Sequence, residues 1–322
     1  MSIERQLVKE FEQDSQNRKC PPDLDTRITA EYRQQVMQQR GKPFMPRKWK
    51  MPKVVLIAII VMIVCGFAYT GSKLLFTDKN GNATVNVHSN QQLKLEKDAL
   101  ERVRLTLKEV KSQLGPGETA VVYVSDFDFY GSWLGAFNPV TLSEIEQWKT
   151  KLKEHEVEEK LPDSLLGSFD FVEGMEGDPF FPALGTDAIS VWEGMKAESK
   201  KTGSKTLWRK TIGSSIKPTS PYTSVFRNSN QDSIYLTWDI VNGPTVKFEM
   251  MTPPNTSYEE LDINGLKAHY TKDEQSLYGD SNINQDVMWI KESGGKTIVY
   301  HVRSDSLDMT KEQLVEAAKS LL

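Results

Sequence analysis

The sequence predicts an α+β fold: an N-terminal cytoplasmic helical arm, one transmembrane helix, and an extracytoplasmic domain of mainly antiparallel sheet with flanking helices. Three observations predict it. A charge-free apolar run occupies residues 54–72. From residue 161 onward, short segments of β-type sequence are separated by turn residues. Two further stretches, residues 91–114 and the C-terminus, carry helical periodicity.

Residues 1–53 form the arm. Ile3, Leu7 and Phe11 recur at i, i+4, i+8, which predicts a short helix ended by Pro21 and Pro22. A second helix is expected from Asp25 to Gln39, with Ile28, Tyr32, Val36 and Met37 on its apolar positions. Pro43 and Pro46 end regular structure. An arm this short buries little core alone. Its apolar positions Leu7, Phe11, Ile28, Tyr32 and Val36 are therefore the candidate surface for a cytoplasmic partner.

Val54 to Tyr69 is unbroken apolar sequence, and Thr70, Gly71 and Ser72 extend it without charge. As a helix it would reach about 28 Å, close to the ~30 Å hydrocarbon core of a bilayer. Arg40, Lys42, Arg47, Lys48, Lys50 and Lys53 precede it with no acid among them, whereas Lys73, Asp78 and Lys79 follow it. Basic residues stay on the cytoplasmic side, so the arm is expected inside and the C-terminal part outside. The charge balance has the same asymmetry: net +5 over residues 1–53 and net −9 over residues 54–322. The basic run is explained by topology and anionic lipid, so no direct nucleic-acid contact is expected.

Residues 73–90 read as a polar linker. Gln91 to Leu114 reads as a helix in which Leu93, Leu100, Leu107 and Leu114 recur every seven residues, with Val103 and Val110 between them. Such a seam lies either on the domain's own sheet or against a second copy of the chain as a short coiled coil. Gly115-Pro116-Gly117 stops it. Thr119 to Val124 is a buried strand, and Thr141 to Glu144 is a capping box opening a helix toward Lys160. These elements make up a helix–strand–helix region, residues 91–160.

Residues 161–322 form the antiparallel-sheet domain. Strands are expected at residues 168–173, 188–193, 207–212, 222–227, 233–241, 245–251, 266–271, 287–291 and 297–302. Asn242-Gly243 predicts a two-residue hairpin turn, and Ser293-Gly294-Gly295 another. Thr310 to Gln313 is a second capping box, opening a final helix through Leu314, Ala317, Ala318 and Leu321.

Catalytic patterns are absent. There is no Gly-rich phosphate loop, no Gly-x-Ser-x-Gly and no His-Glu-x-x-His. Cys20 and Cys65 lack zinc-ligand spacing, and the expected outer domain has no cysteine to form a disulfide. His269 and His301 fall on expected strands, with no third ligand spaced to join them. Asp126-Phe127-Asp128 supplies too few oxygens for calcium. No cofactor, metal or enzymatic activity is expected.

The C-terminal residues carry a resemblance. Gly265-Leu-Lys-Ala-His-Tyr270, Val287-Met-Trp-Ile290 and Ile298-Val-Tyr300 are followed by a helix reading TKEQLVEAAKSL from Thr310. Leu161-Pro-Asp-Ser-Leu-Leu-Gly-Ser-Phe-Asp-Phe171 precedes them, with Leu166 where the pattern has a second proline. This order resembles an uncharacterised extracytoplasmic domain attached to single membrane helices in spore-forming Gram-positive bacteria, often in proteins called anti-sigma factors. The resemblance covers residues 160 onward. It implies a non-enzymatic domain that senses an envelope state or ligand, and an arm that holds a sigma factor or other regulator. The zinc-type signature His-x-x-x-Cys-x-x-Cys of anti-sigma factors is absent. The alternative expectation is a membrane-anchored envelope-assembly protein, or a lipid or glycan carrier lined by the aromatic stretch from Phe127 to Phe137.

Overall fold

The computed structural model describes residues 57–60, 72–77, 81, 83–89, 93–127, 133–157, 159–185, 187–211, 219–242, 245–253 and 256–322. In chain order the strands and helices are β1 (Ile57–Ile60), β2 (Ser72–Thr77), β3 (Ala83–Ser89), α1 (Lys97–Gln113), β4 (Thr119–Val124), β5 (Leu134–Phe137), β6 (Thr141–Leu142), α2 (Ile145–Glu154), β7 (Ser164–Leu165), β8 (Phe169–Glu176), α3 (Ala188–Thr202), β9 (Thr206–Lys210), β10 (Thr219–Arg227), β11 (Ser233–Val241), β12 (Thr245–Thr252), β13 (Ser257–Ile263), β14 (Leu266–Asp273), β15 (Asn284–Ser293), β16 (Lys296–Ser304) and α4 (Lys311–Lys319).

The large sheet runs β13-β14-β15-β16-β11-β10-β8-β6, with β7 hairpinned onto β8, and every pairing in it is antiparallel. Side chains alternate between its faces. Ile234, Leu236, Trp238 and Ile240 of β11 join Ile298, Tyr300 and Val302 of β16 on one face, where they meet Trp148 and Leu152 of α2 and Leu314, Ala317 and Ala318 of α4. The residues between them point to the opposite face. There Val241, Met288 and Val299 meet Phe76, Val85, Val87, Val246 and Phe248 of a small sheet ordered β1-β12-β3-β2. Both faces being covered, all nine residues of β11 are buried.

A third sheet, β5-β4-β9, has a helix on each side. Ala120, Val122 and Val124 of β4 pack on α1, while Val121 and Tyr123 pack on Ala188, Trp192 and Met195 of α3. Two long-range ties join α1 and the residues just before it to the connector between β14 and β15. Gln275 exchanges a pair of hydrogen bonds with the backbone of Leu95, both at 3.1 Å, one given and one received. Arg104, buried on α1, donates to the carbonyls of Ser276, Tyr278 and Gly279 at 2.6, 3.3 and 3.2 Å.

Several expectations are met. The strands expected at 168–173, 207–212, 222–227, 233–241, 245–251, 266–271, 287–291 and 297–302 are β8, β9, β10, β11, β12, β14, β15 and β16. Gly294 and Gly295 turn the β15–β16 hairpin with φ of 54° and 75°, and Thr310 and Gln313 cap α4 reciprocally. α1 stops at Gln113, before Gly115-Pro116-Gly117.

Others are corrected. Residues 188–193 are not a strand but the start of α3. Ala188, Trp192, Met195 and Ser199 are its buried residues, a helical spacing that short-range alternation concealed. Within the stretch read as linker, Ala83–Ser89 is β3, whose Ala83, Val85 and Val87 alternate into the core. β11 and β12 do not pair as the hairpin expected around Asn242-Gly243: β11 has β10 and β16 on its two edges, and β12 pairs in the small sheet. Thr141 does not cap α2, which begins after Glu144, because Thr141–Leu142 pairs with β8 as β6. The boundary at residue 160 is crossed by the third sheet, which takes β9 and α3 from beyond it.

The run expected as a membrane helix is described only in part. Of its residues, Ile57–Ile60 and Ser72 are described, and both segments are strand. Ile57–Ile60 pairs in parallel with Thr245–Phe248 of β12. A β-branched apolar run satisfies a buried strand as well as a helix, and periodicity does not separate the two. The remainder of the run and the arm lie outside the described residues. Among the described residues, no helix is long and apolar enough to cross a membrane.

Candidate functional site

The large sheet carries one feature its apolar pattern does not require. On the face toward the small sheet, the central strands bear polar residues in place of core ones. Alternation puts Tyr235, Thr237 and Asp239 of β11 on this face, together with His301 and Arg303 of β16, Asp286 of β15 and Thr223 of β10. All are buried, with Arg303 and Asp286 each 1% exposed.

The guanidinium of Arg303 is the hub. Its Nε donates to Asp286 Oδ2 at 3.0 Å, and its Nη1 donates to Asp178 Oδ2 at 2.5 Å. Nδ1 of His301 lies 2.8 Å from Asp286 Oδ2 and 2.7 Å from Arg303 Nη2. One nitrogen cannot donate to the carboxylate and accept from the guanidinium together, so the tautomer of His301 selects one bond. The rings of Phe180 and Phe181 lie over the guanidinium at 5.7 and 4.9 Å.

Electrostatics follow from burial and partners. Burial alone would lower Arg303, but Asp178 and Asp286 overcome it and hold it above its ordinary value. Burial alone would raise Asp286, but Arg303 and His301 hold it below the ordinary carboxylate value. At Asp239 burial outweighs the attraction of Arg303. Burial pushes its carboxyl up to about 7, opposed by a hydrogen bond from Thr219. Its Oδ1, like Oδ1 of Asp286, has no hydrogen-bond partner among the described residues.

Asp178 reaches the cluster from a segment that crosses over it. Residues 177–183 leave β8, and Gly177 takes a hydrogen bond from Thr223 Oγ1 at 2.7 Å. Asp178 Oδ1 accepts from Phe180 N at 2.8 Å. Phe180 then seats among Met175, Val225 and Tyr235, edge-on to the Tyr235 ring at 4.9 Å. This strap closes the cluster from solvent. His301 and Asp286 have the composition of an acid–base pair, but in this conformation no substrate reaches them. No group of three or more His, Cys, Asp or Glu able to hold a metal occurs among the described residues. A surface depression of about 180 Å³ lies elsewhere, between α1 and Asp280, Ser281 and Asn282.

The residues singled out from sequence fare differently. Leu7, Phe11, Ile28, Tyr32 and Val36 lie outside the described residues. Leu93, Leu100, Val103, Leu107, Val110 and Leu114 are buried in the chain's own core against β4 and β5, so of the two readings of the seam the structure has the one on the domain's own sheet. Asp126 lies at the surface, paired with Arg102 at 2.7 Å, and Phe127 is core. Leu134 and Ala136 share that core with Phe127, so these parts of the aromatic stretch line no cradle. His269 and His301 share a face, but Met288 stands between them in register, and His269 packs edge-on to Phe76 at 4.4 Å.

The cluster itself escaped sequence reasoning. Its signal was present: charged residues at alternate positions inside strands otherwise fit for a core, as in Thr237-Trp-Asp239 and His301-Val-Arg303. The turn at Leu166 is also distinctive. Its φ of 51° is closed to a pyrrolidine ring, so this turn is built differently from the proline-containing pattern it resembles.

No family model matches the chain, and no curated protein or solved structure matches it.

Proposed function

We propose that the chain is a single-pass membrane regulatory protein of the anti-sigma type. In this reading residues 54–72 anchor it, the arm binds a cytoplasmic sigma factor or other regulator, and the remainder is a non-enzymatic extracytoplasmic domain that senses an envelope state or ligand. The observation that carries the reading is the charge-free apolar run set between a basic arm and an acidic remainder. The closed cores support sensing at a surface over carriage of a lipid or glycan, because a carrier needs an interior its ligand can enter. In a bilayer Ile57–Ile60 would leave β12 and complete the helix, since lipid requires every backbone group to be satisfied within the segment.

Two measurements test it. The full chain expressed in a Gram-positive host is expected in the membrane fraction after alkaline carbonate washing; recovery in the soluble fraction would end the membrane reading. Residues 1–45 used as bait are expected to retain a sigma factor or other transcriptional regulator above a scrambled arm; equal retention by both would end the regulatory reading.

A further inference from the structure

We propose that copies of this chain join edge to edge, β9 of one copy adding as a strand to β13 of the next. The inference does not depend on whether the chain spans a membrane.

Both strands end their sheets. Among the described strands, β9 pairs with β4 alone and β13 with β14 alone. An edge strand turns every second backbone N–H and C=O outward, and that row is a template for another strand. The pairing says which residues do so. Thr211 N donates to Thr119 O at 3.0 Å, so Thr211, and with it Arg209 and Leu207, turns its backbone to β4. Thr206, Trp208 and Lys210 turn theirs outward. The Trp208 carbonyl is met there by the guanidinium of Arg209 at 2.8 Å, a bond that a docking N–H can replace. In β13 the two-residue turn Asn264-Gly265, with φ of 55° and 83°, closes on the pair Ile263 and Leu266. Counting back from Ile263, Leu261 and Glu259 bond to β14, whereas Asp262 and Tyr258 turn outward. The far edge of the third sheet is shut by comparison. There the Tyr278 hydroxyl bonds both the carbonyl and the N–H of Gly135 on β5, at 3.2 and 3.4 Å.

Charge decides which edges can meet. Lys205, Arg209 and Lys210 lie in or beside β9 with no acid among them, and β13 holds Glu259, Glu260 and Asp262 with no base. Like charges across a strand pair repel, so β9 is guarded against a second β9 and β13 against a second β13. Neither is guarded against the other. Antiparallel docking with Thr206 opposite Asp262 brings the two outward-facing rows together. It also sets Leu207 opposite Leu261, both half-buried in the single chain, and Arg209 opposite Glu259. Arg209 is held by Glu198 of α3 at 2.9 Å, and Glu259 by Lys311 of α4 at 2.9 Å. Docking therefore joins two existing pairs into one row of alternating sign: Glu198, Arg209, Glu259, Lys311. The two edges differ, so the contact is heterologous and each copy can both offer and accept a strand.

Sedimentation equilibrium of the purified full chain tests the contact, in mild detergent with micelles in excess of chains. One strand edge is a small interface, so the weight-average mass is expected to about double at about 0.1 mM protein and to match one chain at the low micromolar concentrations used for unfolding. Arg209→Glu and Glu259→Arg are each expected to stay at the mass of one chain. Their equimolar mixture is expected to associate again, since each supplies the charge the other's edge requires. Thr206→Pro keeps both charges and the pairing with β4, because the lost N–H is one that faces outward, and it is expected to abolish association. A wild type at the mass of one chain at about 0.1 mM would overturn the proposal. So would a variant that associates as the wild type does, or a mixture no heavier than its parts. If a charge variant does not fold, the wild type and Thr206→Pro decide.

Discussion

Gly174 of β8 lies directly beneath the indole of Trp148. A Cβ built on Gly174 would overlap the ring atoms of Trp148, while the indole Nε1 donates to Ser224 Oγ at 2.8 Å on the neighbouring strand. The missing side chain is what lets α2 seat Trp148, one of the largest fully buried residues, on the large sheet. Gly174→Ala is therefore expected to destabilise the fold by about 3 kcal/mol, the upper range for overpacking a core. Urea unfolding followed by tryptophan fluorescence measures it. A loss under about 0.5 kcal/mol, the scale of a surface substitution, would show that Trp148 moves aside freely.

Removing the hub of the buried cluster should cost more. Arg303→Met strands Asp178 and Asp286 in the interior, and breaking a buried pair from one side costs about 3–5 kcal/mol. Adding Asp178→Asn and Asp286→Asn removes the uncompensated charges and is expected to recover a large part of that loss. The comparison of the single and triple variants by urea midpoint checks it; a triple variant weaker than the single one would contradict the charge argument.

Stability should fall as pH rises from about 4 to about 7. Asp239 and Asp273 have carboxyls raised by burial to about 7 and about 6, above their ordinary 3.8. Between the ordinary and the raised values the folded state binds more protons than the unfolded one, so raising pH favours unfolding. Asp286 has the opposite sign. Its carboxyl is held low, so its contribution persists above the ordinary value and is lost in stronger acid. Urea midpoints taken from pH 4 to 8 are expected to decline and then level, and Asp239→Asn should flatten the decline.

Arg104 is expected to be irreplaceable by lysine. Its guanidinium reaches the carbonyls of Ser276, Tyr278 and Gly279, and burial lowers its pKa without dislodging these bonds. An ammonium cannot span the same fork. Arg104→Lys should cost about 2 kcal/mol, the scale of hydrogen bonds made by a charged group, and should raise hydrogen exchange in residues 276–280. Unchanged exchange there would mean that Gln275 alone holds the connector.

Leu107→Ala tests what the heptad seam does. The side chain is 4% exposed within one chain, so truncation should cost about 2–5 kcal/mol. Because the cost arises inside the monomer, the unfolding midpoint should not depend on protein concentration. A concentration-dependent midpoint would point back to a seam between two copies.

The particular successes and failures of the sequence reading share a cause. Thr310 with Gln313, and Gly294 with Gly295, act over three residues or fewer, and their chemistry is complete within that span. The alternation of β11 and β16 was equally legible, because period two is a local property of a strand. The partner of β12 was not legible. Asn242-Gly243 favours a hairpin, but the free edges of β11 had been taken by β10 and by β16, the latter some 60 residues downstream. The cluster around Arg303 was hidden for the same reason. Asp178, Asp239, Asp286 and Arg303 come from four separate segments, and no spacing links them until the strands are laid side by side.

What the sequence determined by itself is therefore the class of the domain, most of its strands, the cap of α4 and the β15–β16 turn, and the asymmetry of charge around an apolar run. Tertiary structure alone decided which sheet each strand joined, that the heptad seam of α1 faces β4, and that a charged cluster lies sealed beneath a strap. Local chemistry sets what a segment can form. Which edge remains free, and which face remains to be covered, depends on segments far away in the chain.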